Sequence, residues 1–526
     1  TLDTYVRWSC LEWLTGTCPR ENHTTDISKT RYMNSIDEIF AFPTWEERIA
    51  FIKASRRNPL PRTKENMDAW FTKRHKVYDK NLRKDMKTIV KDEYIDRKGV
   101  VHPPMYEKEP VARIGLPLEQ DVVNIHTAFS VGNEPTLKTD TEDARELDLL
   151  NVMKKVGSDN KLRFQNKREV RSWLSEQEVC EYWYRHDDSG FWRKVWSKVA
   201  SLAGIKVQPK YRLRCQIWSP FRGDKLYPIY ADNGQDYLGI GREYEYKLAN
   251  NSQVYCFMLV TKDTVYQVQR GMNSTWVDSE GYPFKHGFSK NPTIYAWRDQ
   301  ALFASVVGIR ESLETLTSDF SDAIRMNFFP KLILEGDLAN GGAENIGKSH
   351  LLKITGGGKA YYLDWHQTSD MVKTQMDNLL SRYYSLTNTP LISFDQLQGS
   401  GTFPSGTAFD FMFMATLFAV DNHWEVMGEF FQRRCNFLQA AIGDLVPDLK
   451  DASETLNIEV VQRPYRIEDL SKRINDAVNM VDGHVGSRKQ AVMLVGIADD
   501  FKSEMEEIEE DMKKEQQAQD VFSSAE

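Results

Sequence analysis

Apolar side chains at Leu302, Val306, Ile309, Leu313, Leu316, Phe320, Ile324 and Phe328 recur at spacings of mostly four and three. That rhythm returns one face of an α-helix to the same side every turn, so it predicts a helix over residues 299–329 with a packing seam along it. Val372, Met376, Leu379, Tyr383 and Leu386 repeat the pattern and stop before Pro390, which predicts a second helix over residues 368–390. A third stripe, from Phe413 and Leu417 through Val420, Trp424, Met427 and Phe431 to Leu438 and Ile442, predicts a helix that Gly443 ends. After a strand-like NIEVVQR, the pattern predicts one helix from Arg466 and another from Ser487, where Ser487 and Gln490 have capping-box spacing. The last helix sets Met505, Ile508 and Met512 against an acidic face, and the closing QQAQDVFSSAE carries no apolar stripe.

The period changes to two between about residues 207 and 270. YRLRCQIWS, DKLYPIYADNGQDYLGIGREYEYK and SQVYCFMLVTKDTVYQVQ alternate apolar and polar positions around turns such as Asp232-Asn233-Gly234, which predicts a mostly antiparallel sheet. The many Tyr and Trp residues there read as half-buried sheet positions and not as a base-stacking platform. Residues 105–205 mix helices with short extended pieces. Nearer the start, Thr44 and Glu47 have capping-box spacing before WEERIAFIKASRR. KENMDAWFTKRHKVYDKNLRKDMKTIV reads as a further helix; its Arg74, Lys76, Arg83, Lys84 and Lys87 form either a solvated basic face or a face for phosphate or a partner.

Composition narrows the class. A chain of 526 residues with 41% hydrophobic content has ample material for packed cores, and its length suggests about three or four domains. A formal charge of −8 leaves no overall basic signature, so any nucleic-acid contact must be local or read shape. Phe411 to Val420, the longest strongly apolar run, is bounded by Asp410 and Asp421 and is about half the roughly 20 residues that span a bilayer, so no membrane passage is expected. Six cysteines without a C-x-x-C, and a start without a signal-like segment, lead us to expect a reducing compartment, no structural metal and no cofactor.

The chemistry-bearing motifs are few. GAENIGKS, residues 342–349, fits G-x-x-x-x-G-K-[ST], but a phosphate loop needs a strand before it and a helix after it. HLLKITGGGKAYYLDW follows, which is β-like, so a polar hairpin tip is expected. Gly239-Ile240-Gly241 lacks the third glycine of a dinucleotide fingerprint. His286 and His366 read as hydrogen-bonded structural histidines, and Asp187-Asp188 and Asp499-Asp500 as solvated charge. With no catalytic constellation, no enzyme is expected. FDQLQGSGTFPSG, residues 394–406, has little apolar to hold it down and is longer than most helix connectors, so it is a candidate functional loop.

The order of elements resembles the portal proteins of tailed bacteriophages, in the family found in long non-contractile-tailed viruses. The resemblance runs over roughly residues 105–515. It rests on VVNIHTAFSVGNEP at 122–135, HGFSKNPTIYAWRD at 286–299, and ESLETLTSDFSDAIRMNF with Leu316, Ser318 and Asp319. KLILEG, SGTAFDF from Ser405 to Phe411, and the acidic final helix around RKQAVMLVGIADDFKSEMEEIEEDMKKE continue the order. The first hundred residues match poorly.

What the resemblance implies is an α+β portal fold with an α/β wing, a helical stem, a β-containing clip and a helical C-terminal crown. Residues 1–298 would be the N-terminal and wing region, 299–329 the first stem helix, 330–367 the clip, and 368–390 the second stem helix. Residues 391–406 would form the tunnel loop, 407–463 a wing helix and strand, and 464–526 the crown. The implied function is a ring, expected to be a dodecamer, at one capsid vertex of the virion, assembled in the host cytoplasm, through which double-stranded DNA is packaged and ejected.

Its partners would be further copies of itself, the terminase packaging ATPase, the head–tail adaptor, and the major capsid and scaffolding proteins, with no membrane. Gln396, Leu397, Gln398, Ser400, Thr402, Phe403 and Ser405 would be the tunnel loop touching DNA without reading sequence. Leu302, Ile309, Leu313, Leu316, Phe320, Val372, Leu379 and Tyr383 would pack subunits in the stem, and Glu344, Asn345 and Lys348 would dock a partner at the clip. Two rival readings are a nucleotide hydrolase using Lys348 and Ser349, and another minor capsid or adaptor protein; adaptors are usually much shorter.

Overall fold

Thr44 starts the first long helix as its spacing predicts. Its hydroxyl accepts from the Glu47 N–H at 3.4 Å, and the Glu47 carboxylate accepts from the Thr44 N–H at 3.3 Å. The computed structural model describes residues 35–91, 94–95, 99–187, 211–231, 236–248, 251–271, 274–327, 331–335, 338–346, 349–354, 359–363, 368–391, 406–462, 470–495, 505, 508, 510 and 512–514.

Helix α1 (Trp45–Ala54) is followed by α2 (Thr63–Trp70), which is shorter than the basic stretch predicts. The backbone turns extended at Phe71, and two single turns, Thr72–Arg74 and Lys76–Tyr78, lead to strand β1 (Met86–Lys91), paired antiparallel with β2 (Met105–Glu109). The helix breaks because His75, Lys76 and Arg83 reach partners on an element more than two hundred residues away, at Glu314, Glu311 and Asp319.

Helices α3 (Leu118–Val131), α4 (Ala144–Asp159) and α5 (Leu162–Glu176) come next; Asp143 caps α4 by accepting from the Arg145 and Glu146 N–H groups. Helix α5 ends on Gln177 at φ 77°, a backbone region costly to a residue with a Cβ. Its side chain offsets that cost: Oε1 accepts from the Arg62 N–H at 2.8 Å and Asn66 Nδ2 at 3.0 Å, and Nε2 donates to the Asp299 carbonyl at 2.7 Å.

The β region forms two separate antiparallel sheets, not the single sheet that the alternation suggests. Strand β3 (Glu178–Asp187) lies between β4 (Tyr211–Trp218) and a later strand; β5 (Lys225–Tyr230), β6 (Tyr237–Lys247), β7 (Gln253–Thr261) and β8 (Thr264–Gly271) form the other sheet in that order. The later strand is β9 (Thr293–Trp297), more than a hundred residues from its partner β3, a pairing that alternation cannot specify. Helix α1 covers the second sheet through Ile49 and Ile52 against Tyr227, Phe257 and Leu259. The glycines of Gly239-Ile240-Gly241 allow close approach there: a Cβ on Gly239 would stand 2.4 Å from the Val260 carbonyl oxygen, and one on Gly241 2.7 Å from the Phe257 ring.

Two long helices follow with a small β unit between them. Helix α6 (Val307–Asn327) opens eight residues later than the seam predicts, because residues 301–306 are spent in short turns and the Leu302 N–H donates to the Leu174 carbonyl of α5 at 2.8 Å. Strands β10 (Lys331–Glu335), β11 (Leu338–Ile346), β12 (Ser349–Ile354) and β13 (Lys359–Leu363) form two ribbons, β10 with β13 and β11 with β12, before α7 (Thr368–Leu386). Helix α8 (Gly406–Leu445) then runs unbroken for 40 residues, about 60 Å at 1.5 Å per residue.

Its C-terminal half builds the main core. Phe430, Phe431, Phe437 and Leu438 meet Val122 of α3, Leu149 of α4, Trp173 of α5 and Trp183 of β3; burying each such side chain is worth about 1.5–3 kcal/mol. The short helix α9 (Lys450–Thr455) folds back on α8; α10 (Leu470–Asp482) and α11 (Arg488–Val495) follow, with Ser487 and Gln490 making the expected capping box at 3.2 Å in both directions.

Gly443 does not stop α8, which continues to Leu445. It serves the fold-back instead: a Cβ there would stand 2.1 Å from Ser453 Oγ and 2.8 Å from Ser453 Cβ. Gly443→Ala is therefore expected to cost ~1–3 kcal/mol in urea unfolding, and adding Ser453→Gly should recover most of it. A Gly443→Ala protein as stable as the original would contradict this role.

Candidate functional site

Helix α6 carries two stripes. Ile309, Leu313, Leu316 and Phe320 form one, toward α7 and the main core, where Met376, Leu379, Leu380, Tyr383 and Tyr384 pack. Glu311, Glu314, Ser318 and Asp322 form the other, on the opposite side at about 100° per residue. The polar stripe is a ladder for an adjoining segment of chain. The N–H groups of Leu116, Ile114 and Ala112 donate in turn to Glu314 at 2.7 Å, Ser318 Oγ at 3.0 Å and Asp322 at 2.8 Å. The fit follows from geometry: two residues of extended chain advance about 6.6 Å, and four residues of helix about 6 Å.

Side chains close the ladder at both ends. Arg83 spans Asp319 at 2.6 Å and Asp322 at 2.7 Å while its Nε donates to the Ala112 carbonyl at 2.7 Å. At the other end Arg310 lies between Glu119 of α3 at 2.9 Å and Glu314 at 2.8 Å, with all three side chains buried. His75 Nδ1 meets Glu314 at 2.5 Å and its Nε2 meets the Ala69 carbonyl at 2.9 Å.

Burial pushes Glu119 above the usual carboxylate range, and Arg310 offsets only part of that. Glu314 feels burial too, but bonds from His75, the Leu116 N–H and Arg310 outweigh it and hold the carboxyl below its ordinary value.

Where α7 ends, His126 of α3 fixes the chain. Its Nε2 donates to the Thr387 carbonyl at 3.0 Å and lies 3.1 Å from Thr389 Oγ1, and Thr416 Oγ1 of α8 donates to the Asn388 carbonyl at 2.6 Å. Burial pushes His126 down to about 4, and the neighbouring His423 is lowered by burial as well.

The residues expected to pack subunits are placed as follows. Leu313 and Tyr383 are 4% and 0% exposed within the single chain, so both serve its own core and not a subunit contact. Leu302, Ile309, Leu316, Phe320, Val372 and Leu379 are half-buried. Glu344 and Asn345 lie on β11, opposite Leu351 and His350 of β12. The chain enters GAENIGKS as a strand and leaves it at Ser349 as a strand, so no helix N-terminus faces that turn, and a phosphate cradle cannot form. Lys348 lies outside the described residues, as do Gln396, Leu397, Gln398, Ser400, Thr402, Phe403, Ser405, His366, Asp188, Asp499 and Asp500.

Other candidate chemistry is structural. His286 is buried, near the Thr261 carbonyl at 3.2 Å, and its Nδ1 accepts from the Phe288 N–H at 3.1 Å. Glu169, Glu181 and Cys215 converge closely enough to suggest a metal site. The cation there is Arg434 of α8, which bonds Glu169 at 2.5 Å, Asn166 at 2.5 Å and both oxygens of Glu181. Burial and the Glu181 charge push Glu169 well above its usual range, and burial pushes the Cys215 thiol up, so this set is built for a guanidinium and not for a metal ion.

Residues 49–518 match the family described as "Phage portal protein, SPP1 Gp6-like". The chain belongs to that family. Portal proteins of this kind are structural, and the mixed helix and sheet seen here is an α+β portal fold. A similar solved structure is the "Neck of empty GTA particle computed with C6 symmetry", 12% identical, with a TM-score of 0.34 over 73% of this chain and 90% of that one. No curated protein matches the chain. Among the described residues no helix is long and apolar enough to cross a membrane.

Two measurements test the portal chain's anchor. Arg310→Met strands Glu119 and Glu314 without their cation and should cost about 3–5 kcal/mol in urea unfolding, whereas Lys76→Ala, which removes a partly exposed pair, should cost at most about 1 kcal/mol; equal losses would contradict the ladder's buried end. His126 has a folded pKa below its unfolded one, so its contribution is complete above about pH 6.5 and is lost as pH falls toward about 4, by up to about 3 kcal/mol. His126→Gln should flatten that part of the pH–stability curve.

Proposed function

We propose that the chain assembles as a ring, expected to be a dodecamer, at one vertex of a viral capsid and forms the channel through which double-stranded DNA is packaged and later ejected. The observation that carries this reading is the portal-family match over residues 49–518. The antiparallel pair α6 and α7 with its β unit, residues 331–363, supports it, since such a hairpin of helices offers a rigid wall with a separate tip. In this reading α6 and α7 are the stem, and residues 330–367 are the clip that meets the terminase ATPase and then the head–tail adaptor. Residues 391–406 are the tunnel loop, and the capsid and scaffolding proteins surround the assembled particle at the portal vertex.

The loop's own chemistry suits a sliding polymer. Gln396, Gln398, Ser400, Thr402 and Ser405 can donate to phosphate oxygens, and the loop has no Lys or Arg to hold the duplex. The nucleotide hydrolase is disfavoured by the strand that follows Lys348.

Negative-stain images of the purified protein should show rings with a central hole; single compact particles at high concentration would overturn the proposal. Duplex DNA should bind weakly, and deleting residues 396–403 should leave its salt dependence unchanged. Binding that falls steeply with salt and maps to that loop would contradict the passive role given to it.

A further inference from the structure

Two exposed surfaces lie on different elements, one on α8 and one on the segment that packs on α6. On α8, Phe411, Met414 and Phe418 are 70%, 46% and 64% exposed along one stripe, which Asp421 and Glu425 continue as exposed acids. The opposite stripe of the same helix is occupied: Phe413 and Val420 pack on Phe129 of α3. The second surface is the segment between α2 and β1. Tyr78 and Leu82 are 38% and 67% exposed there, among the exposed Lys73, Lys80 and Lys84.

The two are separated by α6 itself. Its polar stripe holds residues 75–83, its other stripe packs toward α7, and the end of α7 is tied to α8 by the bond from Thr416 to Asn388. The row of bare apolar side chains on α8, Phe411, Met414 and Phe418, is the kind of surface that marks an interaction site.

We propose that these surfaces are the two halves of one contact between copies of this chain, the apolar and acidic face of α8 seating on the apolar and basic segment 71–84 of the next copy. Charge complementarity selects this occupant: each half is greasy, one continues into carboxylates and the other into ammonium groups. Because the halves differ, the contact is heterologous, and such a contact repeats head-to-tail around an axis, as a closed ring requires. The inference rests on the ring proposed above and assigns its subunit boundary to named residues.

The test uses the full chain in sedimentation velocity, with thermal unfolding as a control, since every substituted residue is exposed. Phe418→Asp alone, and Lys80→Glu with Lys84→Glu, should each raise the concentration needed for assembly by about tenfold or more. An equimolar mixture of the two variants should stop at 1:1 dimers, because one intact contact remains between them. Glu425→Lys should weaken assembly, and combining it with the two lysine reversals in one chain should restore it. If the unaltered chain forms rings and these variants assemble as readily, or the mixture gives no dimer, this contact is wrong while the ring stands. If the unaltered chain stays monomeric throughout, the ring falls as well.

Discussion

Everything in this chain is arranged around one helix that must satisfy two unlike neighbours. Helix α6 turns Leu313 and its seam toward the greasy interior and, half a turn away, presents Glu314, Ser318 and Asp322 to the backbone of residues 112–116. The two demands fix its rotation: turning the helix by one residue would carry carboxylates toward the apolar core and leave backbone N–H groups without acceptors. Gly115 belongs to the same constraint, since a Cβ there would stand 2.6 Å from the Tyr78 ring. A helix locked in rotation can offer a defined wall to whatever lies on its remaining face.

Buried charge is used in the same way twice. Arg310 ties α6 to α3, and Arg434 ties α8 to α5 and β3. In each case an arginine lies between two carboxylates, and burial raises the pKa of one of them, Glu119 in the first and Glu169 in the second. Such clusters add little net stability over a well-packed apolar substitute, but removing one member is costly. They specify which elements meet, which hydrophobic contact alone does poorly, and the portal chain places them where its long helices join the remainder of the fold.

The sequence was most legible where the signal is local. The seams of α6, α7 and α8, both capping boxes and the hairpin at GAENIGKS follow from residues within a turn or two of one another. What escaped depends on distant partners. Residues 64–90 have helical composition, yet the chain leaves the helix at Phe71 because His75 and Arg83 are bound to α6. Strand β4 alternates like its neighbours but pairs with β3, and Gly443 resembles a helix terminator until Ser453 is seen against it. The ladder had a trace, acceptors at 314, 318 and 322 spaced by four, but its meaning needed the segment two hundred residues earlier. The tunnel-loop positions, outside the described residues, rest on the family resemblance alone.

Helix α8 is gripped over its second half by the main core and carries bare rings at its first turns. A rod of that kind does not absorb a push at its N-terminal end by bending locally, because packed interiors yield little to strain. Load applied near Phe411 would travel along the axis and arrive at Arg434 as displacement of the whole shaft. The chain is thereby fitted with a stiff strut, whose N-terminal end and core mooring must shift together or not at all.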